Sequence, residues 1–342
     1  MTQYPSWSAS MLRRDLTVRA MHLARTYSLL HDVSTGASPA VLFGHDDQNL
    51  VAPPRHGNFH PSAYAAICVN ADWLLRLAKP HTASRRSSAR HDWRWMELDS
   101  ASSSDALLMN IFCHPGVFDG VHLAASVAAL LNVDPYTTPC FGTHPGVPLL
   151  SPLRSRPKKA APIERLDRTE IDLTLGNLYI EAKLTESDFQ TASPKLIARY
   201  RDLDVVFDTD RLPRKLPPTP TQISRVPHPS RLCEGWDVNS THNHIPDPDI
   251  DDSFLTIPVR PTRIAGYQLI RNVLAAYAAE ASFCVLCDSR RHDLIDLWCE
   301  VLSAVRSQTF ATRLKLLTWQ ELAAALPRDL QHFLATKYGI TA

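Results

Sequence analysis

The sequence predicts an α/β protein with a mainly helical N-terminal part. Three observations carry this. Apolar residues recur at helical spacing in residues 11–32 and 103–133. A Gly-Asn pair at 176–177 joins two segments of alternating residues, the mark of a hairpin. From Ile264 onward, strand-like and helical segments alternate to the C-terminus. A length of 342 residues allows one large domain or two ordinary ones, and 44% hydrophobic with 21% charged residues suits a packed chain rather than a disordered one.

The elements follow in chain order. In residues 11–32, Leu12, Leu16, Leu23, Tyr27 and Leu30 mark an amphipathic helix. A Ser/Arg/His/Pro-rich stretch begins after Lys79 and runs to about Arg90. Residues 103–133 predict two helices, the first built on Leu107, Leu108, Ile111 and Phe112 and ended by a turn at His114-Pro115-Gly116-Val117. The same four residues recur at 144–147 without a repeat of their flanks, which reads as a second, similar turn. Residues 150–162 (LSPLRSRPKKAAP) read as a linker, dividing a helical region at 1–150, of unassigned role, from a core at 151–342. A Pro-rich stretch, 211–231, and an acidic one, 237–252, interrupt that core as an insert at about 190–262. Beyond it come a helix at 267–280, a strand at 283–287, a helix at 292–306, a strand at 314–318 and a last pair of helices.

Charge and cysteine usage exclude several classes. Lys+Arg is 36 and Asp+Glu is 35, so no binder working by bulk positive charge is expected. Resolved along the chain, residues 76–94 hold Arg76, Lys79, Arg85, Arg86, Arg90 and Arg94 against Asp92 alone, with Trp73, Trp93 and Trp95 nearby. Such a stretch tracks a phosphate backbone or is simply a solvated basic loop. Seven cysteines without a repeated spacing argue against a disulfide framework. Cys284 and Cys287 alternate within an apolar strand, so buried core thiols are expected there rather than a metal site. The N-terminus has no apolar signal core and no apolar run reaches a membrane span, so the protein is expected to be cytoplasmic, without a membrane partner. No GxGxxG, GxxxxGK[ST] or GxSxG occurs, which disfavours a Rossmann enzyme, a P-loop motor or a serine hydrolase.

The segment TEIDLTLGNLYIEAKLTESDF, 169–189, is the most informative. With Gly176 and Asn177 as the loop, Leu175 faces Leu178, Leu173 faces Ile180 and Ile171 faces Ala182. These residues and Leu184 give one apolar face. The period of two puts Asp172 opposite Glu181 and Glu170 opposite Lys183 on the other face. Like charges directly opposite on a sheet are destabilising. A divalent cation between Asp172 and Glu181 would turn repulsion into coordination, and the Lys183 ammonium would orient a water or stabilise phosphoryl charge. The plainer reading is a charged outer face balanced by one lysine.

Asp172, followed nine residues later by Glu181-Ala182-Lys183 on a strand–turn–strand, resembles the PD-(D/E)xK nuclease superfamily. More narrowly, RTEIDLTLGNLYIEAKLTESDF, YQLIRNVLAAY and LTWQELAAALP resemble a bacterial group of restriction-endonuclease-like proteins. The resemblance covers roughly 160–342 and implies a restriction-endonuclease-like core, a mixed central sheet flanked by helices. It also implies metal-binding acids at Asp172 and Glu181, a catalytic lysine at Lys183, and Mg²⁺ as cofactor with Mn²⁺ as substitute. Ile171 stands where the motif's proline would be. Members often add another acid to the metal site, for which Glu164 is the first candidate, then Glu170, with Glu97 behind them. Gln268 and Arg271 lie one turn apart on a helix, opposite Tyr267, Ile270, Leu274 and Tyr277. Some members carry a Gln from this helix beside the metal, and Arg271 joins Arg85, Arg86 and Arg94 as a candidate nucleic-acid contact. The expectation is a Mg²⁺-dependent nuclease hydrolysing DNA phosphodiester bonds, as a monomer or homodimer. The alternative is a protein of the same fold that binds nucleic acid or a protein partner without cleaving.

Overall fold

The computed structural model describes residues 6–34, 39–46, 55–80, 96–150, 165–215 and 262–342. A five-stranded mixed sheet runs through its centre. Its strands are β1 (Pro139–Thr143), β2 (Ile171–Leu175), β3 (Leu178–Ala182), β4 (Ser282–Cys287) and β5 (Leu314–Thr318). Their spatial order is β5-β4-β3-β2-β1. β1, β2 and β3 pair antiparallel, whereas β4 lies parallel to both β3 and β5. Parallel neighbours need crossover connections, and helices supply them. The helices used below are α1 (Ala9–Thr26), α2 (Pro61–Val69), α3 (Ala71–Leu77), α4 (Ser104–Phe112) and α5 (Ala125–Leu131) before the hairpin. After it come α6 (Tyr267–Ala278), α7 (His292–Ser303), α8 (Trp319–Ala324) and α9 (Arg328–Tyr338).

Alternation along the strands builds two cores. On one face Leu173, Leu175, Leu178, Ile180, Ala182, Cys284 and Leu286 pack with α1 to α5 and with α8 and α9. On the other, Phe283, Val285 and Cys287 pack with Leu269, Ile270 and Val273 of α6 and Leu294, Trp298 and Val301 of α7. Each fully buried Leu or Ile contributes about 1.5–3 kcal/mol, so the two cores dominate the stability of the sheet. Cys284 and Cys287 fall in different cores, as their spacing within a strand requires, and burial pushes both thiols up to about 12. Residues on both sides of position 150 share the first core, and β1 extends the same sheet.

Some elements depart from their predicted bounds. The first helix buries Leu12, Leu16 and Leu23 but stops at Thr26, since Ser28 adopts a left-handed φ of 51°. Residues His31–Val33 then pair with Val41–Phe43 as a hairpin, leaving Tyr27 and Leu30 exposed. The repeated HPGV segment takes two conformations. At 114–117 it is a turn after α4, while Gly146 and Val147 are extended and pair with Arg168 and Asp167. The linker at 150–162 and most of the long insert lie outside the described residues. The ends of the insert do lie within them, because Lys215 pairs with Arg263 in a three-stranded sheet that also holds Thr191–Ala192. Among the described residues, no helix is long and apolar enough to cross a membrane.

Candidate active site

The hairpin register is the one the sequence predicts, with Leu175 opposite Leu178 and Leu173 opposite Ile180. Gly176 makes the turn with φ at 56°, a conformation that costs other L-residues roughly 1 kcal/mol. Regular pairing ends at Leu173 and Ile180, so the expected pairs Ile171–Ala182 and Asp172–Glu181 do not form as ladder partners. Past it, the Ala182 N–H donates to Asp172 Oδ2 at 2.8 Å, so the acid is anchored where the strands part. β3 keeps following β4, with Lys183 N–H donating to Leu286 O at 2.8 Å, and Trp319 Nε1 donates to Lys183 O at 2.9 Å. The neighbouring strand β4 and the helix α8 therefore fix the lysine's main chain.

Glu181 is fully buried and accepts hydrogen bonds from three side chains. Lys183 Nζ donates to its Oε1 at 2.6 Å, Gln268 Nε2 to the same oxygen at 2.5 Å, and Asn272 Nδ2 to Oε2 at 2.7 Å. Asn272 is in turn oriented by Thr169, whose hydroxyl donates to Asn272 Oδ1 at 2.7 Å. Burial raises the Glu181 carboxyl above its ordinary range, against the opposing pull of Lys183. Asp172 is raised as well, by burial and then by the charges of Glu181 and Asp105. Burial alone would lower Lys183, but Glu181, Glu186 and Asp172 overcome it and raise its pKa. The lysine is thus held as an ammonium, a donor and a fixed positive charge rather than a base.

A second charge network adjoins these residues. Glu170 does not meet Lys183 as the hairpin geometry suggested. Its Oε1 accepts from Lys79 Nζ at 2.8 Å and lies 2.7 Å from Arg76 Nη1, so the end of the strand turns toward α3. Burial would raise Glu170, yet the two cations hold it at about 2. Asp105, in the first turn of α4, takes Arg76 at 2.7 Å and Lys79 at 3.3 Å. Glu97 lies 3.2 Å from Lys79. Arg76 reaches this cluster past Gly142 of β1, where a Cβ would come within 2.2 Å of its Nη1.

Asp172, Glu181, Lys183 and Gln268 are therefore brought together, and Glu170 stands beside them in the second network. Glu164, Arg85, Arg86 and Arg94 lie outside the described residues. Arg271 does not share the Gln268 side of α6. Its guanidinium lies 5.3 Å from the Tyr267 ring centroid, and Asn272 is the partner of Gln268 on Glu181. Asn272 had a readable signal, since it lies four residues after Gln268 on one helical face. Asp105 had none, because only tertiary packing carries it to Asp172, whereas Glu186 lies three residues after Lys183.

The sheet order, the parted hairpin strands and the acid–lysine cluster define an α/β protein of restriction-endonuclease-like fold. The family model described as "Restriction Endonuclease associating with ARP" matches residues 33–339, and the chain belongs to that family. No curated protein and no solved structure matches the chain. The match begins well before the hairpin, so the helical region is part of what the family shares.

Proposed function

We propose that this chain is a metal-dependent nuclease that hydrolyses DNA phosphodiester bonds, with its centre at the open end of the β2–β3 hairpin. The observation that carries this reading is the buried Glu181–Lys183 pair beside the anchored Asp172. The donor set fits a hard divalent cation such as Mg²⁺ or Mn²⁺. Asp172 and Glu181 offer carboxylate oxygens, Asp105 adds charge, and burial followed by repulsion from Glu181 and Asp105 raises Asp172. When bound, the cation supplies charge neutralisation at the phosphoryl oxygens. Asp172 and Glu181 are the residues that would hold it, with Asp105 or Glu170 as the added acid.

The chain's own groups perform the rest. Gln268 and Asn272 fix both oxygens of Glu181, so the carboxylate cannot rotate away from Asp172. Lys183 remains protonated and donates toward the attacking water or a phosphoryl oxygen, where charge grows in the transition state. Arg76 and Lys79 hold Asp105 and Glu170 in position and keep Glu170 ionised. The family supports the nuclease class, while DNA as substrate and the metal rest on this donor set and the resemblance. Purified protein with Mg²⁺ or Mn²⁺ is expected to nick or degrade DNA. Asp172→Ala and Lys183→Ala are each expected to abolish this, and cleavage that survives both substitutions overturns the assignment.

A further inference from the structure

On the sheet face away from α6, a cavity of about 430 Å³ opens between the end of α1, the start of α2 and α9. Its walls include Tyr27, Phe59, Tyr64 and Phe333, and its polar groups include His60 and Asp329. His60 Nδ1 accepts the Ser62 N–H at 3.2 Å. A neutral ring so bonded carries its proton on Nε2, which makes Nε2 a donor. That nitrogen is 4.0 Å from Asp329 Oδ2, beyond hydrogen-bond reach, and is free to donate elsewhere. Behind it, His114 repeats the arrangement. Its Nδ1 accepts the Gly116 N–H at 3.0 Å, and its buried Nε2 lies 3.3 Å from Asp329 Oδ2 without a hydrogen-bond partner. Burial lowers both imidazoles from their ordinary values, so both stay neutral.

Two imidazoles and a carboxylate within 4.8 Å of one another would ordinarily suggest a transition-metal site. The tautomers argue otherwise. A ligating histidine donates its second nitrogen's proton, whereas here the second nitrogens accept main-chain N–H groups. The cluster presents N–H donors beside a carboxylate acceptor, within aromatic walls.

We propose that this cavity binds a keto-form nucleobase, guanine or thymine, through its adjacent carbonyl and ring N–H. The carbonyl accepts from His60 Nε2–H, the ring N–H donates to Asp329, and the aromatic side chains take the ring faces. Adenine and cytosine present an amino group where the carbonyl is required. A nucleobase, rather than another lactam, follows from the nucleic-acid reading above, on which this inference rests.

The test is calorimetric titration of the full chain with guanosine, thymidine, adenosine and cytidine. Nucleosides have no phosphodiester bond, so the result is independent of cleavage. Guanosine or thymidine is expected to bind at least about tenfold more tightly than the amino bases, the worth of one hydrogen bond to a charged group. Asp329→Ala, at a largely exposed side chain, is expected to remove that preference. His60→Asn keeps a side-chain acceptor at the start of α2 and is expected to weaken binding. Equal binding of all four, binding of none, or a preference that survives both variants overturns the proposal. So does tight Zn²⁺ binding lost in His60→Asn, which assigns the cluster to a cation.

Discussion

Glu181 carries more of the site than its exposure suggests, since three donors from two elements converge on one buried carboxylate. Asn272 is fully buried, yet its bond to Oε2 sets the carboxylate's plane. Asn272→Ala is expected to lower metal affinity or cleavage about 10–100-fold with the fold intact, measured by Mn²⁺ titration and by rate. An unchanged affinity and rate would remove Asn272 from the site. The raised carboxyls predict a pH dependence whose sign is fixed. Asp172 and Glu181 hold their protons to higher pH in the folded chain than unfolded, so without metal their contribution to stability is full below the unfolded pKa. It is lost as pH rises through the folded values, because the unfolded chain then releases protons more readily. A cation needs the ionised forms, so the rise in Tm on adding Mg²⁺ is expected to grow with pH above the ordinary carboxylate range. Melts with and without Mg²⁺ across pH 5 to 8.5 check this, and a shift independent of pH or larger in acid contradicts it. Glu170 behaves oppositely. Lys79 and Arg76 lower it, so its contribution is full above about 4.5 and lost as pH falls toward about 2.

At the scale of elements, the hairpin was legible because its signals are local. Period-two alternation and a turn glycine fix which side chains share a face, and a one-residue slip would expose Leu173 and Ile180. The C-terminal elements were legible for the same reason, with Leu314–Thr318 forming the strand the pattern predicts. The first helix was overextended because Tyr27 and Leu30 continue its apolar spacing, although neither is buried. Glu170 was misassigned because alternation gives the face but not the partner. Arg76 and Lys79 arrive from α3, about 90 residues away in sequence, past the edge strand. Their approach depends on Gly142, whose φ of 64° and absent side chain admit the guanidinium. Gly142→Ala is expected to cost about 1–3 kcal/mol in denaturant unfolding, from backbone strain and the displaced arginine. It should also raise the apparent pKa of Glu170 toward its ordinary value. A variant as stable as the parent would show that Arg76 reaches Glu170 by another route.

At the scale of the molecule, the helical region and the hairpin are mechanically one. The apolar hairpin face that the sequence assigns to a core is covered by Leu107, Ile111 and Phe112 of α4 and by Val127 and Leu131 of α5. Asp105 and the cations that fix Glu170 come from the same region, so the helices that cover the sheet also complete the charge network. The family match from residue 33 fits this arrangement. A chain reduced to residues 151–342 loses β1 and exposes Leu173, Leu175, Leu178 and Ile180, all buried in the full chain. Each uncovered Leu or Ile forfeits about 1.5–3 kcal/mol. Four of them together exceed about 6 kcal/mol, comparable with the 5–15 kcal/mol that separates a whole domain from its unfolded state. The fragment is therefore expected to aggregate or melt without cooperativity, and to bind no Mn²⁺ with the affinity of the full chain. Calorimetry and Mn²⁺ titration of the fragment check both points. A cooperative transition at the parent's Tm would mean that the sheet holds its hairpin without α4 and α5. The proposed centre would then belong to the C-terminal part alone, with Asp105 and Arg76 dispensable to it.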